Sequence, residues 1–207
     1  LMRFPEFIEF KTPSKPEGSP TSQESYLVEE SDQTPQEILD QSFEAIQRQL
    51  SQDLLDAIMG NDPAFFEDLV VELIVAMGYG GSVEAAGKAV GGPGDGGVDG
   101  IINEDKLGLD VIYIQAKRWG QDQVVGRQVV DSFAGSMLRS GVNKGILITT
   151  CRFSREAINQ VHDFKQQKII LIDGERLANL MIEYNIGVSP VKTYTVKRID
   201  SDYFNPE

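Results

Sequence analysis

The sequence has very few of the residues that build disulfide frameworks and histidine-based metal centres. Its 207 residues include one cysteine, Cys151, and one histidine, His162. A single cysteine excludes an internal disulfide and a cysteine-rich zinc module, and it favours a reducing compartment. A single histidine excludes any site that needs two or more imidazole ligands.

The sequence also lacks a long hydrophobic run and an excess of basic charge. Its longest uncharged stretch, Leu73 to Val83, is eleven residues, far below the roughly 20 that a membrane helix needs. The 19 Lys and Arg face 32 Asp and Glu, giving a net charge of −13, which argues against a protein whose main role is to coat a polyanion. The basic residues are nevertheless concentrated, because residues 106–168 hold ten of them against five acidic ones.

The first 60 residues divide into a linker and a helix. Residues 1–33 contain prolines and few large apolar groups, which indicates the remnant of a preceding domain and a flexible linker. We therefore expect the chain to be part of a longer protein. Residues 34–60 predict a helix that begins with a capping box at Thr34 and Glu37 and carries a single apolar stripe. That stripe packs either on the chain's own domain or on a second copy of the chain.

The later periodicities predict an α/β domain with a mixed sheet over residues 61–190, followed by an extension at 191–207. Helical patterns alternate with short β-branched runs in the order α-β-β-β-α-β-α-β-α. The first of these strands is expected inside residues 78–100, a segment that holds ten of the 20 glycines.

The most informative segment is the apolar run from Leu109 to Lys117. With the strand period of two, Gln115 and Lys117 share one face. A lysine at the end of such a strand either reaches solvent or has a function, because burying it alone is costly. Asp99 lies on the preceding strand, and a hairpin would place it opposite this end. The three side chains predict a hard-cation site with a lysine that orients water, although an Asp–Lys ion pair satisfies the same geometry.

Three segments carry a family resemblance: Gly94–Gly100 (GDGGVDG), Gln115–Trp119 (QAKRW) and Ile148–Ser154 (ITTCRFS). In this order they resemble the catalytic domain of the Mrr family, bacterial restriction endonucleases of the PD-(D/E)xK superfamily. The resemblance spans about residues 61–190. It implies a PD-(D/E)xK restriction-endonuclease-like fold, with a mixed central sheet flanked by helices and preceded by the linker helix. It also implies a winged-helix DNA-binding domain ahead of the linker.

Carried over residue by residue, the resemblance implies four catalytic residues: Asp99, Gln115, Lys117 and the helix glutamate Glu67. Asp99 and Gln115, with the Ala116 carbonyl, would hold Mg²⁺, for which Mn²⁺ could substitute. The alternative interpretation of Glu67 is a solvent-exposed acid in the first turn of its helix, where the helix dipole favours a negative charge. Glutamine replaces the superfamily's usual acid at position 115, although it resembles this family's own variant, and it contributes no charge. Asp95 is the alternative to Asp99 as the motif acid.

The resemblance implies a metal-dependent endonuclease that hydrolyses double-stranded DNA in the bacterial cytoplasm. It also implies that the DNA cut by the complete protein is methylated. Cutting both strands needs two active sites or two visits, so we expect a homodimer or a larger homo-oligomer. The basic stretch would supply the DNA contacts, from Lys106, Arg118, Arg127, Arg152 and Arg155. Two alternatives stay open: a DNA-repair or junction-resolving nuclease with the same core, and a non-catalytic oligomerisation module.

Overall fold

The structure is a computed structural model, and it describes residues 33–80, 99–104 and 109–204. The strand expected in the glycine-rich segment, Asp95 and most of the linker lie outside the described residues. The helices are α1 (Pro35–Gly60), α2 (Pro63–Ala76), α3 (Arg127–Arg139), α4 (Arg155–Asp163), α5 (Gly174–Glu183) and α6 (Ser201–Phe204). The strands are β1 (Gly100–Asn103), β2 (Val111–Lys117), β3 (Val124–Val125), β4 (Lys144–Thr149), β5 (Arg152–Phe153) and β6 (Lys168–Ile172). None of the helices in the described ranges is long and apolar enough to cross a membrane.

The main sheet has the strand order β1-β2-β4-β6. The edge strand β1 runs antiparallel to β2, whereas β2, β4 and β6 are parallel to one another. The predicted mixed sheet is therefore confirmed. Because parallel strands end at the same edge, the residues that follow β2, β4 and β6 meet at one side of the domain.

Helices cover both faces of this sheet, as predicted. On one face, the isoleucines of β2 and β4 pack against α2, α5 and the second half of α1. On the other face, Tyr113, Leu147 and Ile169 pack against α3 and α4. The alternation along β2 follows from the strand period, which sends successive side chains into opposite cores.

The helix starts follow from the sequence. In the unit that contains the first turn of α1, the Thr34 hydroxyl accepts from the Glu37 N–H at 3.3 Å, and the Glu37 carboxylate accepts from the Thr34 N–H at 2.6 Å. This reciprocal pair is the predicted capping box, and its hydrogen bonds lower the pKa of Glu37. At α2, Asp62 caps the Phe65 N–H at 2.7 Å, and Pro63 occupies the first helical position.

The apolar stripe of α1 is buried over only part of its length. Leu54 and Ile58 belong to the core and are 7% and 2% exposed. Phe43 and Ile46, nearer the helix start, are 60% and 64% exposed. The second half of α1 therefore packs on the α/β domain.

Three details differ from the sequence prediction. The sequence predicts a turn at Asp173-Gly174 ahead of the last helix, but the pair is the N-cap and first residue of α5, since Asp173 accepts from the Arg176 N–H at 2.9 Å. The helix that begins after Ser154 is predicted to continue to about Gln167, but α4 ends at Asp163, because Phe164 is already extended. The short strands β3 and β5 and the single turn α6 are too brief to leave a periodicity in the sequence.

Candidate active site

Asp99 lies directly before β1 and opposite the carboxyl end of β2. Gly100 pairs with Ile114 in the antiparallel register, and the Asp99 N–H donates to the Ile114 carbonyl at 3.0 Å. The Asp99 carboxylate accepts from the Ala116 N–H at 2.6 Å. The hairpin placement predicted from the sequence is thus confirmed, and a main-chain hydrogen bond holds the carboxylate beside the Gln115–Lys117 segment.

Three features of its surroundings shift the pKa of the Asp99 carboxyl group. The side chain is half-buried, and this desolvation raises its pKa above the ordinary value for aspartate. The hydrogen bond from Ala116 and the positive charge of Lys117 act in the opposite direction, but burial is the larger effect. A carboxylate in this state is stabilised by a cation placed next to it.

Glu67 of α2 shares this electrostatic environment. Burial is the main cause that raises its pKa, and the negative charges of Asp99 and Asp68 raise it further, whereas Lys117 lowers it. These interactions show that the helix glutamate, expected only from the family resemblance, lies close enough to Asp99 and Lys117 to sense their charges. A second carboxylate is therefore available at the same end of β2.

Gln115 and Lys117 complete the group. Gln115 is 6% exposed and Lys117 is half-buried. The Lys117 carbonyl accepts from the Thr149 hydroxyl at 2.8 Å, which ties the end of β2 to β4. Among the described residues no direct salt bridge joins Lys117 to Asp99. The simple Asp–Lys ion pair, which was the structural alternative, is therefore not formed.

The donor set at this point fits a hard divalent cation. Asp99 and Glu67 offer carboxylate oxygens and Gln115 offers an amide oxygen, the ligand types that Mg²⁺ and Mn²⁺ prefer. In the described ranges, no three His, Cys, Asp or Glu residues form a metal-binding group.

The basic residues expected to contact DNA have different environments. Arg152 on β5 and Arg155 at the start of α4 are exposed, and both follow the carboxyl end of β4 within six residues. Arg127 is exposed but forms a salt bridge with Asp131 at 3.3 Å. Lys106 lies outside the described residues. Three arginines therefore lie near the edge of the sheet that carries Lys117.

Arg118 is not directed outward. Its Nη1 donates to the carbonyls of Met59 and Asn61 at 2.9 and 2.8 Å, at the carboxyl end of α1. Its Nε is buried and has no hydrogen-bond partner among the described residues. The sequence showed a cation beside Lys117 but not its direction, and these contacts indicate an internal role instead of a phosphate contact.

A cleft of about 500 Å³ opens at the same edge of the sheet. Its walls come from α1, from the segment after β4 and from the start of α5, and they include Arg48, Arg152, Gln121 and Thr150. Sequence reasoning missed the supporting role of Thr149 and Thr150. The available signal was two hydroxyl residues at the end of a buried strand, where unpaired hydroxyl groups are costly.

Comparison with known proteins identifies the family of the chain. The family model for the Mrr catalytic domain, described as a restriction endonuclease, matches residues 58–181. The chain is 36% identical over 203 residues to the type IV methyl-directed restriction enzyme EcoKMrr of Escherichia coli strain K12, covering 96% of this chain and 64% of that enzyme. It therefore spans just under two thirds of that relative's length.

Two solved structures resemble the fold. The DNA modification-dependent restriction endonuclease AspBHI matches with a TM-score of 0.52 at 21% identity, over 66% of this chain and 36% of that one. The MspJI restriction endonuclease, solved in complex with a 27-mer oligonucleotide, matches with a TM-score of 0.51 at 28% identity, over 68% of this chain and 33% of that one. Both have the restriction-endonuclease fold predicted from the sequence. The chain belongs to the Mrr catalytic-domain family of restriction endonucleases.

Proposed function

We propose that the chain is the catalytic part of a metal-dependent endonuclease, of the Mrr restriction type, that hydrolyses double-stranded methylated DNA in the bacterial cytoplasm. The observation that carries the proposal is the hydrogen bond from the Ala116 N–H to Asp99, because it holds a half-buried carboxylate beside Gln115 and Lys117. The absence of a direct Asp99–Lys117 salt bridge among the described residues favours an active site over a purely structural pair.

The proposed site uses its own residues for two tasks. Mg²⁺ or Mn²⁺ is held by oxygen ligands from Asp99, Gln115 and the Ala116 carbonyl, with Glu67 nearby. When bound, the cation supplies charge to the scissile phosphate and lowers the pKa of a bound water. Lys117 donates hydrogen bonds to the attacking water and to the phosphate, where it stabilises the charge that develops in the transition state.

The substrate proposal rests on the relatives. One is named as methyl-directed, another as modification-dependent, and a third was solved with an oligonucleotide. In the proposed arrangement residues 61–190 form the nuclease. Residues 1–33 are a remnant and linker, residues 34–60 form the linker helix that leads into the nuclease, and residues 191–207 form an extension. Arg127, Arg152 and Arg155 contact phosphates in this proposal, and Lys106, which lies outside the described residues, is a further proposed phosphate contact.

Plasmid cleavage tests the proposed function. The intact protein should cut methylated supercoiled plasmid in Mg²⁺ or Mn²⁺ and cut none when EDTA removes the cation. Equal cutting of methylated and unmethylated plasmid would contradict the restriction assignment. Preferential cutting of four-way junctions would favour the repair alternative, and cleavage that persists in EDTA would contradict the metal-dependent mechanism.

Cutting of both strands leads us to propose a homodimer or a larger homo-oligomer. Sedimentation of the intact protein under cleavage conditions tests this proposal. A strictly monomeric species that makes double-strand breaks in a single encounter with DNA would contradict it.

A further inference from the structure

The segment that follows Lys117 is fastened to the linker helix by several hydrogen bonds. Besides the two bonds from Arg118 to the Met59 and Asn61 carbonyls, Gln121 Nε2 donates to Asp56 at 2.8 Å. Gln52 Nε2 donates in turn to Gln121 Oε1 at 2.7 Å. The residues immediately after the proposed catalytic lysine are thus attached to the last three turns of α1.

The chemistry of the Arg118 contact is favourable at this place. The carbonyls at the carboxyl end of a helix have no partner within the helix, and they carry the negative end of its dipole. A guanidinium group can satisfy two of them at once from one nitrogen, with charge-assisted hydrogen bonds. The Arg118 Nε is buried, so this edge of the guanidinium group faces the protein interior while Nη1 binds the carbonyls.

The other side of the same segment is fixed by β4. The Thr149 hydroxyl donates to the Lys117 carbonyl, and the Thr150 hydroxyl donates to the Trp119 carbonyl at 2.6 Å and accepts from the Trp119 N–H at 2.9 Å. The backbone around Lys117 is therefore held by a strand on one side and by α1 on the other. Loss of either support frees the main chain that carries the Lys117 ammonium group.

We propose that Arg118 is a positioning residue that acts through Lys117. Its guanidinium joins the end of β2 to the carboxyl end of α1, so the location of this helix sets the location of the lysine. The C-terminal half of α1 is in turn anchored in the core by Leu54 and Ile58. The proposal rests on the proposed nuclease function, since it assigns Lys117 a part in DNA hydrolysis.

The test compares Arg118→Met and Arg118→Lys with wild type in the intact protein. The readouts are kcat and KM for plasmid cleavage in Mg²⁺, and DNA affinity measured without a divalent cation. We expect Arg118→Met to lower kcat by about 10- to 100-fold, because a displaced catalytic group loses its alignment, while DNA affinity stays at the wild-type value. Arg118→Lys should recover part of kcat, since an ammonium can still donate to the helix carbonyls.

A matched control is Arg176→Met. Arg176 also donates from Nη1 to a main-chain carbonyl, that of Leu171 at 3.5 Å, but it lies on α5. We expect its kcat to equal that of wild type. If Arg118→Met does not fold, Gln121→Ala tests the same attachment from a half-buried side chain that hydrogen-bonds to α1. It should lower kcat without changing the melting temperature, and an unchanged kcat would overturn the proposal.

The outcomes distinguish failure of the positioning role of Arg118 from failure of the proposed nuclease function. An Arg118→Met variant with unchanged kcat, weaker DNA binding and a smaller salt dependence would identify Arg118 as a phosphate contact and overturn the positioning role alone. Wild-type protein that cuts no DNA in any divalent cation would contradict the proposed function, and the positioning role with it.

Discussion

Asp99 carries its charge in a half-buried position, where one main-chain hydrogen bond and the charge of Lys117 offset only part of the desolvation. Because its pKa is raised in the folded state, the ionised carboxylate opposes folding at every pH above that raised pKa. The penalty is lost as the pH falls through the folded pKa, and it is absent below the ordinary pKa of aspartate.

We therefore predict that Asp99→Asn abolishes cleavage but stabilises the metal-free protein at pH 7. The asparagine oxygen can still accept from the Ala116 N–H, so the hairpin is kept while the buried charge is removed. Thermal unfolding in EDTA at pH 7 and at pH 3 measures the effect, and the gain should disappear at the lower pH.

Asp40→Asn is the matched control, since Asp40 is an exposed aspartate on α1. Its melting temperature should stay at the wild-type value at both pH values. A lower melting temperature for Asp99→Asn at pH 7 would show that the carboxylate stabilises the metal-free fold, contrary to this account.

The positions of some site residues could be predicted from the sequence, and those of others could not. Asp99 and Gln115 could be placed together because strand period and hairpin pairing are local rules. The approach of Glu67 to the site depends on how α2 packs on the sheet, which no local pattern encodes. Arg118 shows the same limit, because its charge is visible in the sequence but its inward direction is set by tertiary contacts.

At the level of elements, the start of α5 packs closely against the end of β4. A Cβ built on Gly174 would collide with the Thr150 carbonyl oxygen and meet the Thr150 carbonyl carbon at 2.9 Å. The Gly174 N–H also donates to the Cys151 carbonyl at 3.0 Å. Glycine is therefore required here for close approach to the backbone of β4.

We predict that Gly174→Ala lowers the free energy of unfolding by about 1–3 kcal/mol, the usual effect of overpacking. Urea denaturation measures this value. Gly60→Ala is the control, because a Cβ at Gly60 would have no neighbour within 4 Å, and alanine is the better helix former. Equal stability of Gly174→Ala and wild type would show that the helix start moves freely away from β4.

The elements themselves were largely predictable. The capping box, the proline after Asp62 and the alternation along β2 are local signals, and α1, α2 and β2 form where these signals lie. The apolar stripe of α1 shows what local signals cannot give. It is continuous in sequence, but only its second half is buried, because burial depends on which part of the helix reaches the sheet.

For the whole molecule, the distribution of charge matters more than its sum. The net charge of −13 suggests poor affinity for DNA, yet the exposed Arg152 and Arg155 follow the strand end next to the proposed site. Local positive charge at the active edge permits contact with phosphates even on an acidic protein.

We predict that the double variant Arg152→Ala/Arg155→Ala weakens DNA binding and reduces the slope of log affinity against log salt by about 2, since each phosphate contact contributes about 0.9. Fluorescence anisotropy over a salt series without divalent cation measures this slope. The control is Arg176→Ala on α5, which should leave the slope unchanged. An unchanged slope in the double variant would remove both arginines from the proposed DNA surface.

The central claim is that the Asp99–Gln115–Lys117 site hydrolyses DNA, and cleavage of methylated supercoiled plasmid by Lys117→Ala in Mg²⁺ tests it most directly. Lys168→Ala serves as the control, because Lys168 is an exposed lysine at the opposite, amino end of the parallel strands. We predict that Lys117→Ala binds DNA with wild-type affinity but cuts at least about 100-fold more slowly, as loss of one charge-stabilising donor does, while Lys168→Ala cuts at the wild-type rate. Cleavage by Lys117→Ala at the wild-type rate would contradict the account.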